Sequence, residues 1–371
     1  MPMPPRPADG RFGSGPSRVR PAALAALAGP RAGLMGTSHR ATPVRALVGE
    51  VRAGLRDLFG LPDDWEVVLG NGGATVFWDV AAYSLVRERS AHATHGEFGA
   101  KAAVCARTPW VREPIVTERP GGERAVLAPA DVDTYWLVQN ETSTGVASPV
   151  RRPRHADGSV ADGLLLVDAT SAAGGIGWDP AEADVYYFSP QKAFGADGGL
   201  WVACMSPAAV ARTEEIARSD RPIPPSLRLA DALAESRRDQ TVNTPAIATL
   251  ILLAEGIAWL REQGGMAWAE ARSRAASGHL YTWAEATAWA APFVADPELR
   301  SPTIATIDLD AAIDADLLRT RLRAEGMVDL DPYRKLGRNG LRVGTFPAVD
   351  LADVQALTAW VEHVVAEMRA R

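Results

Sequence analysis

Apolar residues recur at helical spacing through residues 43–59 (Val44, Leu47, Val48, Val51, Leu55, Leu58), and Gly60-Leu61-Pro62 closes that run. Residues 65–69 then read as a short strand and 74–86 as a second helix. Three short apolar runs follow, at 135–138, 164–167 and 185–188. Each is bounded by polar residues or glycine, as expected of strands buried on both faces of a sheet. The turn Gly198-Gly199 leads into another strand at Leu200-Trp201-Val202. Such alternation predicts an α/β fold with a mostly parallel sheet flanked by helices.

After Pro245 the pattern changes. Residues 246–263 and 267–290 predict two helices parted at Gly264-Gly265. A strand (303–309), a helix (316–324), a strand (341–343) and an amphipathic C-terminal helix (351–368) complete a smaller α+β part. The expected division is a large domain, 17–250, and a small one, 251–371, that includes the N-terminal arm 1–16. The proline-rich first 20 residues read as a flexible arm with a tight turn at Ser14-Gly15-Pro16.

Composition narrows the partners. The chain has 371 residues, 47% hydrophobic and 23% charged, enough for two globular domains. The net charge of -6 comes without a basic stripe, which argues against nucleic acid, and an anionic substrate would need a local cationic pocket. No run approaches the ~20 apolar residues that span a bilayer, so no membrane partner is expected. The two cysteines, Cys105 and Cys204, sit in apolar surroundings and read as free thiols of a cytoplasmic protein. His92 and His95 have no third ligand near them, so no metal site is expected. His155, His279 and His363 likewise read as non-catalytic.

The candidate chemistry gathers at strand ends. Lys192, in Ser189-Pro190-Gln191-Lys192, follows a buried strand. It is either a turn lysine or a desolvated nucleophilic amine. Asp168 stops the apolar run 164–167, at the sheet edge where open α/β folds place ligands; alone it could be a helix cap. Together they fit pyridoxal phosphate, which needs an amine to hold it and a carboxylate to keep its ring nitrogen protonated. The loop Gly70-Asn71-Gly72-Gly73-Ala74-Thr75 lacks the dinucleotide and phosphate-loop signatures but suits a simple phosphate at a helix N-terminus.

Nine segments in register from residue 14 to residue 347 carry a resemblance to a known family. They are Ser14-Gly15-Pro16, Gly36 to Arg40, Gly70 to Thr75, Gly96-Glu97-Phe98, Asn140-Glu141-Thr142, Asp168 to Ser171, Pro190-Gln191-Lys192, Asn243-Thr244-Pro245 and the run around Arg342. The chain resembles the phosphoserine aminotransferases of the actinobacterial branch, fold-type-I class-V enzymes that use pyridoxal phosphate. The resemblance implies that Lys192 binds the cofactor covalently and moves the proton, and that Asp168 faces the ring nitrogen. It also implies that Ala74, Thr75 and Gln191 hold the phosphate and that Thr142 lies by the ring hydroxyl. By the same resemblance Phe98 would stack on the ring, where many relatives have tryptophan. Asn243 and Thr244 would reach the phosphate from the second subunit of a homodimer with shared sites. Ser14, His39, Arg40, Arg334 and Arg342 would bind substrate, with Arg342 on the α-carboxylate and His39 and Arg40 on the distal anion. The individual roles of Arg334, Lys335 and Arg338 stay open.

The implied reaction exchanges an amino group between L-glutamate and 3-phosphohydroxypyruvate, in serine biosynthesis. A phosphorylated hydroxythreonine of pyridoxine biosynthesis is a further implied substrate. The competing readings are another enzyme of the same fold type, such as an alanine–glyoxylate aminotransferase or a cysteine desulfurase, and a non-catalytic binding module. A desulfurase needs a mobile cysteine in its later half, and nothing after Cys204 is cysteine.

Overall fold

A computed structural model describes residues 3–370. Seven strands form the main sheet: β1 (Glu66–Asn71), β2 (Ser90–Thr94), β3 (Ile115–Glu118), β4 (Thr134–Val138), β5 (Leu164–Asp168), β6 (Val185–Phe188) and β7 (Leu200–Met205). Their order is β1-β7-β6-β5-β4-β2-β3. Strands β6, β5, β4, β2 and β3 pair in parallel, and β7 runs antiparallel to both its neighbours. The ends of β4 and β5 are level, with Val138 opposite Asp168.

Continuous apolar runs arise here because both faces of the sheet are covered. On one face Tyr186 and Phe188 join Leu69, Leu165 and Val167 against α2 (Thr42–Phe59) and α7 (Ile247–Gln263). On the other, Val185 and Tyr187 join Val68, Leu164 and Trp201 against α3 (Ala74–Ser84). This is the period of two of an extended chain expressed as two cores. Helix α2 buries the apolar stripe read from the sequence, and Gly60 ends it in the left-handed conformation (φ 59°) open to glycine. Each fully buried Leu or Val on such a stripe contributes about 1.5–3 kcal/mol.

A third core forms around a small antiparallel sheet of Ala290–Pro292, Ile304–Leu309 and Gly340–Gly344. Covering it are α8 (Gly265–Ala286), α9 (Ala315–Ala324) and α10 (Leu351–Arg369). Helix α7 still places Leu250, Leu253, Ile257 and Leu260 in the first core, and α8 adds Ala269. The chain therefore changes core between Ala269 and Ala276, inside α8, later than residue 250. The reason is that α7 is apolar around most of its circumference and packs against both α2 and α8.

The described part of the N-terminal arm is docked rather than flexible. Phe12 is fully buried in the third core, and its N–H and C=O pair with Val328 and Gly344. Arg18 meets Asp353 of α10 at 2.7 Å with both side chains buried. Helix 267–290 also ends earlier than expected, at Ala286, because 290–292 pair as a strand.

Candidate active site

One cavity of about 260 Å³ opens where β4, β5 and β6 end, and the arm closes over it. Ser14, Ala74, Thr75, Phe98, Thr142, Asp168, Gln191, Lys192 and Arg342 all line it. These are residues from segments up to 328 positions apart, and the strand ends and the arm bring them together.

The Lys192 amine donates to Thr142 Oγ1 at 2.7 Å and lies 5.4 Å from the Phe98 ring centre. Burial is the main cause that pushes its pKa down, to about 8; Asp168 opposes this and Arg342 adds to it. The cavity wall above it is tight: a Cβ on Gly15 would sit 2.5 Å from Lys192 Cε, and Gly15 has φ +140°. Asp168 ends β5 with each carboxylate oxygen held. Oδ1 accepts from Thr170 N (3.0 Å) and Oδ2 from Trp78 Nε1 (2.8 Å). Arg342 donates to the Thr142 carbonyl at 3.2 Å, lies under the Tyr333 ring, and has its pKa lowered chiefly by burial.

A polar ligand fits this cavity. Ser14 Oγ, Asn140 Oδ1, Thr170 Oγ1 and Gln191 Oε1 are buried atoms without a partner, and all four residues line it. Buried polar atoms are nearly always paired, so four orphans around one space mark a place for hydrogen-bonding groups. The N–H groups of Ala74 and Thr75 stand in the first turn of α3, where a helix offers donors to an anion. An amine, a carboxylate, a helix N-terminus and an aromatic ring are the set that pyridoxal phosphate requires.

Five other expected residues, His39, Arg40, Asn243, Thr244 and Arg334, are elsewhere. His39 pairs with Thr244 (3.1 Å) and Arg40 with Gln240 (3.0 Å), while Asn243 lines a separate cavity beside Asn71. Arg334 is exposed and, among the described residues, makes no side-chain bond or ion pair. Its neighbours Lys335 and Arg338 are taken by Glu97 and Asp308. Sequence reasoning missed Trp78 and Tyr333 in the cavity wall. Trp78 falls inside the helix expected at 74–86, and Tyr333 precedes the basic residues Arg334, Lys335 and Arg338; only its aromatic ring beside them could have marked it. His92 and His95, held down to about 3 and about 4 mainly by burial, are neutral core residues. No metal-binding cluster occurs among the described residues.

The fold and this cavity are those of an aminotransferase: the model of the family "Aminotransferase class-V" matches residues 28–328. Phosphoserine aminotransferase of Nocardioides sp. is 53% identical over 361 residues, 97% of this chain and 96% of that protein. The same enzyme of Rhodococcus opacus is 52% identical over 364 residues, 98% and 96% of the two chains. Among solved structures, a phosphoserine aminotransferase from Cytophaga hutchinsonii superposes with a TM-score of 0.86 at 23% identity, covering 96% of this chain and 99% of that one. The chain belongs to the class-V aminotransferases, which use pyridoxal phosphate, and within them to the phosphoserine aminotransferase family.

Proposed function

We propose that this enzyme moves the amino group between L-glutamate and 3-phosphohydroxypyruvate, giving 2-oxoglutarate and O-phospho-L-serine. The observation that carries the reading is the meeting of Lys192, Asp168 and Arg342 in one cavity. Pyridoxal phosphate, when bound, supplies an electron sink for the substrate's α-carbon. Lys192 holds the cofactor and then takes and returns the α-proton, a task suited to an amine poised near neutral pH. Asp168, fixed by Trp78 and Thr170, keeps the ring nitrogen protonated. Phe98 would stack on the ring, Thr142 would lie by its hydroxyl, and Ala74, Thr75 and Gln191 would receive the phosphate, all from the wall of the one cavity.

Arg342 clamps the α-carboxylate common to both substrates, with Ser14 beside it. Arg334 follows Tyr333 of the cavity wall and, unlike Lys335 and Arg338, has no carboxylate partner among the described residues, so it is the cation of that loop available to the distal anion. His39, Arg40, Asn243 and Thr244 serve the cavity of a second copy of the chain. Their grouping on one surface outside their own cavity supports a homodimer with shared sites. Two free thiols suit the cytoplasm. A cysteine desulfurase is disfavoured because Cys204 is fully buried and its thiol pKa is raised by burial.

The test is a coupled assay with L-glutamate and 3-phosphohydroxypyruvate on wild type beside Lys192→Ala. Turnover in the first alone supports the reaction and the lysine. A silent wild type with bound cofactor would move the search to other keto acids, beginning with the phosphorylated hydroxythreonine pair. For the dimer, mixing Lys192→Ala with an inactive Arg40 or Asn243 variant should restore activity, because one composite site per mixed dimer is then intact.

A further inference from the structure

Glu141 is fully buried, is not itself part of the cavity lining, and among the described residues pairs with no arginine or lysine. Its carboxylate instead faces the first turn of α4 (Glu97–Cys105), the helix whose second residue is Phe98. Oε2 accepts from Phe98 N and Gly99 N, each at 3.1 Å, while Oε1 accepts from Ser143 N (3.1 Å) and Ser143 Oγ (2.6 Å). Ser143 Oγ accepts in turn from Glu97 N at 3.0 Å. Three first-turn N–H groups are thus satisfied from another part of the chain, because the N-cap, Gly96, has no side chain to offer.

The fit requires that glycine. A Cβ on Gly96 would lie 2.4 Å from Glu141 Cγ and 2.6 Å from Ser143 Oγ. Every partner of the Glu141 carboxylate is a donor, and a helix N-terminus favours negative charge; burial opposes both and raises the pKa. Thr142, between the two capping residues, holds the Lys192 amine. Three consecutive residues therefore fix the aromatic wall and the reactive amine against one another.

We propose that Glu141 is a positioning residue, one that sets the plane of the Phe98 ring relative to Lys192 by capping the helix that carries the ring. The inference rests on Phe98 being the ring that stacks on the cofactor. In Glu141→Gln, a side-chain NH2 must face N–H donors, so the first turn of α4 loses part of its anchorage.

The test compares Glu141→Gln, Phe98→Ala and the double variant, reading the dissociation constant for pyridoxal phosphate and the visible circular dichroism of the bound cofactor. Glu141→Gln should weaken binding roughly tenfold, a change of about 1.4 kcal/mol, and diminish the visible dichroism. The double variant should be no worse than Phe98→Ala, since both substitutions then remove one and the same contact. Unchanged binding and dichroism in Glu141→Gln, or losses that add in the double variant, would overturn the proposal. So would a Phe98→Ala protein that binds as wild type does. If Glu141→Gln does not fold, Ser143→Ala, which removes one donor to Glu141 and the acceptor for Glu97 N, is judged by the same criteria. Neither readout uses substrate, so an error in the proposed reaction would leave this result standing.

Discussion

Only three lysines occur in the chain, Lys101, Lys192 and Lys335, so the state of one can be followed against the others. With its pKa held near 8 instead of 10.5, Lys192 is neutral in about a tenth of cofactor-free molecules at pH 7, roughly 300-fold more than an ordinary lysine. A small acylating reagent at limiting concentration, read by mass spectrometry of the three lysine peptides, should label Lys192 with a midpoint near pH 8. Lys101, exposed and held above its ordinary value by the hydrogen bond to Glu97, should lag behind it. Two variants fix the cause. Asp168→Asn removes the charge that raises the Lys192 pKa, so the midpoint should fall; Arg342→Gln removes a charge that lowers it, so the midpoint should rise. Stability follows with a definite sign. Between pH 8 and 10.5 the unfolded chain keeps a proton that folded Lys192 has shed, so the cofactor-free protein gains stability as pH rises through that window. From this residue alone the gain is up to about 3 kcal/mol. A midpoint near 10.5, or variants that move it the opposite way, would refute the claim that burial sets the amine.

Three further outcomes follow from the same geometry. Trp78→Phe keeps the packing but deletes the indole N–H that holds Asp168. A hydrogen bond to a charged group is worth about 1.5–3 kcal/mol, so the cofactor's dissociation constant should rise at least tenfold in a fluorescence titration. Gly15→Ala combines φ +140° with a Cβ 2.5 Å from Lys192 Cε. Steady-state kinetics should show kcat reduced about tenfold or more through backbone strain and a displaced amine, and an unchanged kcat would mean that the arm yields. Asp353→Ala removes the buried partner of Arg18 and leaves its guanidinium the Ala348 and Asp9 carbonyls with the more distant Asp9 and Asp350 carboxylates. The loss should therefore sit near the low end, about 3 kcal/mol, of what breaking a buried pair costs. Denaturant unfolding should show that loss, and a change under about 1 kcal/mol would contradict the docked arm.

How far the sequence reveals this molecule depends on whether a residue's role is decided locally. The strands Leu164–Asp168 and Val185–Phe188 were legible because burial on both faces demands an unbroken apolar run, and the catalytic candidates Asp168 and Lys192 were legible as the polar residues that end such runs. Ser90–Thr94 is just as buried but was missed. Its interior side chains are small or polar, with His92 stacked on Trp136 and hydrogen-bonded to Ser90, so its burial depends on neighbours that periodicity does not see. The arm was misread for a related reason: proline-rich composition suggests flexibility, whereas Arg18 is anchored by an aspartate 335 positions away. Glu141 is the sharpest case. Its motif marks the family, but its carboxylate caps a helix whose Phe98 lies 43 residues upstream and which has glycine at its own N-cap, and only the folded chain shows the two together. The proposed substrate-binding surface divides in the same way. Arg342 enters the cavity on a strand, where the backbone fixes its direction, while Arg334, Lys335 and Arg338 share one loop and differ only in whether Glu97 or Asp308 happens to reach them. Assigning Arg334 to the distal anion is therefore a statement about which carboxylates are already paired, which no spacing along the chain encodes.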